Sequence, residues 1–131
     1  MLFRSGGAKV GGALGHEYQV IDDDRHPDAK IGTTHRTAGF YDVKAAENHP
    51  SLPPGSWNQS RILVHGNHVE HSLNGMKVLE YELGSSEILA AVKASKFKDV
   101  GAFGTKVPGH ILLQDHGDAV CYRDIKVKRG P

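Results

Sequence analysis

The chain has 131 residues and a mass of 14.2 kDa, with 38% apolar residues, enough for one core in one domain. Its net charge of +1 offers no electrostatic basis for gripping nucleic acid or an anionic membrane. No apolar run approaches the roughly 20 residues that span a bilayer. A lone cysteine, Cys121, excludes an internal disulfide and the usual zinc-finger spacings, and it reads as a small packing residue in a strand-like run.

In chain order, Met1-Leu2-Phe3-Arg4 carries one basic residue and neither an apolar stretch nor a small-residue cleavage site, so it does not read as a signal peptide. Gly6, Gly7, Gly11, Gly12 and Gly15 make residues 5–16 a loop. A strand is expected over Glu17-Tyr18-Gln19-Val20-Ile21, with Tyr18 and Val20 facing opposite to Glu17 and Gln19. The acidic stretch from Asp22 to Lys30 reads as a loop, Thr37 to Val43 as a short strand, and Glu47 to Gly55, with Pro50, Pro53 and Pro54, as a connection. A three-stranded meander follows. Trp57 to His65 alternates, Gly66-Asn67 turns, His68 to Leu73 returns, and Asn74-Gly75 is a type I′ hairpin signal before Met76 to Tyr81. Ser85, an early Glu87 and the Ile88/Ala91/Val92 spacing predict a helix of about three turns, broken by Gly101, Gly104, Pro108 and Gly109. Ile111 to Gln114 and Val120 to Val127 are the last expected strands.

Chemistry concentrates in a few places. Nine histidines are dispersed along the chain, so any that share a site must be brought together by the fold. In Gly109-His-Ile-Leu-Leu-Gln-Asp-His-Gly117, alternation sends Leu112, Gln114 and His116 to one face and Ile111, Leu113 and Asp115 to the other. An amide, a carboxylate and an imidazole at the end of an apolar strand suit the rim of a site; an Asp-His-Gly turn with His116 in solvent is the plainer reading. His71 shares a face with Val69 and Leu73, either as a core histidine donating to a carbonyl or as a group at the edge of a groove. Glu17 and Gln19 read as the solvent face of an edge strand or as site groups, Asp22 and Asp24 as turn caps or ligands. Trp57 serves as packing or as a sugar platform, and Arg123 as a buried ion-pair partner or a hydroxyl ligand. Lys93, Lys96 and Lys98 form a solvated helix face.

Six motifs in order resemble one family. They are Gly15-His-Glu-Tyr-Gln-Val-Ile-Asp22 with His26-Pro-Asp28, Thr37-Ala-Gly-Phe-Tyr-Asp42, Gly55-Ser-Trp-Asn58, Gly66-Asn-His-Val-Glu-His-Ser-Leu-Asn-Gly75, Gly109 to Gly117, and Tyr122-Arg-Asp-Ile125. Together they are similar to the 3-keto-disaccharide hydrolase domain family over nearly the whole chain. The resemblance implies an all-β fold, a concanavalin-A-like jelly-roll sandwich of antiparallel strands with one short helix. It also implies that this chain is a partial domain entering after the family's first strands, so that sheet edges stand open and the missing strands or a partner chain complete it. Ser72 stands where the family often has an aromatic residue.

The implied chemistry acts on glycosides oxidised at C3. The ketone acidifies the C2 proton, a base removes it, the C1 substituent leaves, and water adds. On this reading Glu17, His71 and His116 are the catalytic candidates, with a histidine as base and Glu17 orienting it or binding a metal. Gln19, Asp22, His26, Trp57 and Gln114 are the sugar-binding candidates. A divalent metal is a possible cofactor, though no ligand spacing demonstrates one. The resemblance also implies a periplasmic or extracellular setting, a small-molecule sugar substrate and no nucleic-acid partner. Two alternatives remain: a non-catalytic carbohydrate-binding module on the same scaffold, and an inactive fragment.

Overall fold

The computed structural model describes residues 2–5, 14–48, 50–115 and 117–129. In chain order its elements are β1 (Leu2–Ser5), β2 (His16–Glu17), β3 (Ser60–His65), β4 (His68–Leu73), β5 (Met76–Glu82), α1 (Ser86–Ala94) and β6 (His110–Leu112). Two short 3-10 turns, Asp28–Lys30 and Thr33–His35, interrupt the long connection between β2 and β3. The strands form two antiparallel three-stranded sheets, ordered β2-β1-β6 and β3-β4-β5. The expected all-β, antiparallel class with one short helix is what the chain adopts.

The meander matches its sequence pattern closely. His65 pairs with His68 and Leu73 with Met76, so both connections are two-residue turns. Asn74 and Gly75 take φ of 50° and 83°, the doubly positive geometry of a type I′ turn. On β4 the parity is clean: Val69, His71 and Leu73 are buried and His68, Glu70 and Ser72 are not. A register shift between His71 and Ser72 lets β5 bury Val78 together with Leu79 and Tyr81. Helix α1 starts where its hydroxyl cap predicts, with Ser85 accepting from Ile88 N at 3.3 Å, and it buries Ile88 and Val92.

The core lies between the inner face of β4–β5, the helix and the coil of residues 38–46. Phe40 stacks on Tyr81 with centroids 4.9 Å apart, and Phe97 on Phe103 at 4.1 Å. Gly104 ties this core to β2. Its N–H donates to His16 Nε2 at 3.1 Å, its carbonyl accepts from Gly84 N at 2.8 Å, and a Cβ there would stand 2.8 Å from Val92 Cγ2.

Four expectations need correction. The strand over 17–21 ends at Glu17; Tyr18 makes only a bridge to Phe40, and Gln19 pairs with residues 38–39, so Val20 turns out to solvent while Gln19 is buried. Thr37 to Val43 is coil rather than strand, because Ala38 and Asp42 sit at φ of 64° and 58° and wind the chain back on itself. Residues 120–127 join no sheet among the described residues, and Ile125 and Val127 stay exposed. Cys121 is exposed rather than a packing residue.

Candidate active site

An open groove of about 2550 Å³ is lined by Glu17 and Gln19 of the β2 exit, Asp22 and His26 of the following loop, Trp57 ahead of β3, and Gln114 after β6. Six of the eight sequence candidates thus share one surface. Of the other two, His71 does not join them there.

His71 is in the core, fully buried. Its Nδ1–H donates to the Ala38 carbonyl at 2.7 Å, and its Nε2 accepts from the Tyr81 hydroxyl at 3.3 Å. Burial pulls its imidazole from 6.5 down to about 4, so the ring is neutral and structural. The expectation of a proton-abstracting His71 is overturned, because the side chain sits on the packed face of β4 rather than in the groove. His116 lies outside the described residues.

The binding candidates differ in how they are held. Asp22 Oδ1 caps its own turn, accepting from Asp24 N at 3.0 Å and Arg25 N at 3.1 Å. His26 Nδ1 accepts from Asp28 N at 3.1 Å, leaving Nε2, 3.3 Å from Asp118 Oδ2, to carry the proton. Trp57 is half exposed, and the Arg123 guanidinium lies 4.0 Å above its ring. Arg123 is therefore an exposed stacking group, not a buried ion-pair partner. Asp115 caps a turn by accepting from Gly117 N at 2.8 Å, as the plainer reading of that motif has it.

The groove floor holds a network that the residue pattern did not single out. Asp28 Oδ1 faces His35 Nδ1 at 3.0 Å and accepts from the Tyr41 hydroxyl at 3.2 Å, while Asp28 Oδ2 accepts from Gln19 Nε2 at 3.3 Å. The second ring nitrogen of His35, Nε2, is 3.0 Å from Asp42 Oδ1, and Asp42 Oδ2 accepts from Lys96 N at 2.8 Å. Asp28 and Tyr41 line the groove, and Lys96 Nζ lies 4.0 Å above the Tyr41 ring. Burial first, then the charge of Asp28, drives the Tyr41 phenol far above its usual range, so it stays protonated. Tyr122 is raised in the same direction by burial and by the carboxylate of Glu17. Asp28 and Asp42 belong to quoted motifs, but only the folded coil reveals that His35 joins them.

Among the described residues, the cluster spaced to hold a metal ion is His68, Glu70 and Glu80, whose ligand atoms all lie within 4.8 Å of one another. It lies on the outer face of β4–β5 and does not line the groove. Hydrogen bonds from His68 to Glu70 and Glu82 raise that imidazole above its ordinary value.

The family model of the 3-keto-alpha-glucoside-1,2-lyase-like domain matches residues 1–128. The chain belongs to this family. It is 40% identical over 124 residues to a 3-keto-disaccharide hydrolase of Bacteroides thetaiotaomicron, an alignment covering 86% of this chain and 43% of that relative. A crystal structure of a candidate glycosyl hydrolase from Parabacteroides distasonis superposes with a TM-score of 0.68 at 28% identity, over 79% of this chain and 50% of that one. The chain thus spans half the length, or less, of these relatives. The 3-keto-lyase-like assignment and the antiparallel fold agree with the resemblance carried by the six motifs. No helix among the described residues is long and apolar enough to cross a membrane.

Proposed function

We propose that this member of the 3-keto-lyase-like family breaks glycosidic bonds of 3-keto-glycosides by elimination and hydration. The observation that carries the reading is the convergence of Glu17, Gln19, Trp57 and Gln114, from segments far apart in the chain, on one groove large enough for a disaccharide. With His71 in the core, Glu17 is the base among the described residues. Its carboxylate takes the C2 proton, whose electrons form an enolate with the C3 ketone. The enolate re-forms the carbonyl, the C1–O bond breaks and the leaving alcohol takes up a proton. Water then adds its hydroxyl to C1 and its proton to C2, restoring the sugar.

Incubation with a 3-keto-disaccharide, with and without divalent metal, is expected to release free 3-keto-sugar. Glu17→Gln is expected to slow the release by about 10²–10⁴-fold. A parent chain that binds the substrate without releasing sugar under either condition would sink the enzymatic reading and leave a carbohydrate-binding module.

A further inference from the structure

A carboxylate has about four lone-pair directions, and Asp28 uses three. His35 Nδ1 and the Tyr41 hydroxyl occupy Oδ1, and Gln19 Nε2 occupies one direction of Oδ2. One direction of Oδ2 is left among the described residues, on a side chain that lines the groove and is 24% exposed. The Tyr41 oxygen has committed its proton to Asp28 and presents only lone pairs. Gln19 Oε1 takes Val20 N at 3.2 Å and keeps a second lone pair. This floor accepts hydrogen bonds and has nothing left to donate, so it matches ligand groups that bring protons. Sugar hydroxyls are such groups.

His35 fixes Asp28 in place. Its two ring nitrogens lie 3.0 Å from oxygens of Asp28 and Asp42, so one ring bridges the two carboxylates. Tyr41 packs edge-on to the ring at 4.7 Å, and the His35 carbonyl accepts from Gln19 Nε2 at 3.3 Å, so the ring is fixed from both sides.

We propose that Asp28, Tyr41 and Gln19 form a hydroxyl-accepting subsite for the sugar ring, with His35, held between Asp28 and Asp42, as its positioning residue. The subsite rests on the sugar-cleaving reading and adds an orientation to it. A C3 ketone oxygen can only accept, so it faces away from these three acceptors.

The clamp is read in the unmutated chain by nitrogen NMR of labelled histidine. Both His35 ring nitrogens are expected to show the shifts of hydrogen-bonded nitrogens, and only one in Asp42→Ala; a parent ring with one nitrogen free of a hydrogen bond overturns the clamp. The subsite is read by titrating an unoxidised disaccharide, which can bind but cannot eliminate. Saturation is expected to shift the parent's His35 ring signals. Asp28→Asn and His35→Gln, with folding checked by circular dichroism, are expected to raise the dissociation constant about tenfold to hundredfold, and Tyr41→Phe less. An unchanged constant in Asp28→Asn, or unmoved His35 signals at saturation in the parent, overturns the subsite. A parent with the clamp intact that binds neither this disaccharide nor its 3-keto form instead overturns the sugar-cleaving reading itself, and the subsite with it.

Discussion

The β3–β5 meander and the coil of residues 19–46 lie against one another but are held together by different means. In the meander a backbone ladder repeats along each strand, and the side chains only choose which face is packed. In the coil, backbone bonds close single turns and short bridges rather than one ladder. Carboxylates placed one by one fasten these turns: Asp22 on Asp24 and Arg25, Asp23 on Thr37 N at 2.8 Å, Asp28 on three partners, Asp42 on the turn after α1. A ladder tolerates the loss of any one side chain better than a set of single clamps does, and the groove floor is made of the clamps. Binding surfaces are commonly built this way, from irregular chain fastened to a regular scaffold.

The most severe way to break the comparison is Phe40→Ala. Phe40 is fully buried, stacks on Tyr81 of the meander and belongs to the coil, so its loss is expected to cost about 3–5 kcal/mol by urea unfolding. Amide exchange should accelerate in both regions together; acceleration in the coil alone would show that the two open separately.

Acid is expected to act next most strongly, through the meander. The His71 imidazole titrates at about 4 in the folded chain against 6.5 when exposed, so the unfolded chain takes up the proton first as pH falls. Stability from this residue is complete above pH 6.5 and is lost down to about pH 4, on the order of 3 kcal/mol. Urea midpoints at pH 7, 5.5 and 4 measure it, and a flat series would contradict a buried neutral His71.

Gly104→Ala sharpens the contrast at the junction. The added methyl meets Val92 at 2.8 Å with φ at +80°, against open space at Gly75, where φ is +83°. A loss of about 2–3 kcal/mol is expected at Gly104 and about 1 kcal/mol for Gly75→Ala. Ser85→Ala, which removes only the cap of α1, is expected to cost about 1 kcal/mol, visible as a small drop in melting temperature.

The same contrast explains what could be read from the sequence. Alternation and an Asn-Gly turn specify β3 to β5 locally, and Ser85 specifies the helix start, so these were legible residue by residue. Gln19, Trp57 and Gln114 stand within motifs that resemble the family's, and all three line the groove. His71 was ambiguous because the same parity serves a core imidazole and a groove-facing one; only the Ala38 carbonyl, 33 residues away, decides it. Residues 37–43 read as a strand because left-handed Ala38 and Asp42 leave no mark in a hydrophobic pattern. The His35 clamp could not be seen at all, since its partners sit seven residues away on either side and meet it only once that coil has formed.

The chain has a single tryptophan, and Arg123 covers one face of its indole at the groove wall. Tryptophan emission, excited to the red of tyrosine absorption, therefore comes from one indole whose surroundings include that stacked cation. Any molecule that displaces the guanidinium or settles on the opposite ring face should change the colour or intensity of that light, so occupancy can be followed optically without attaching a dye.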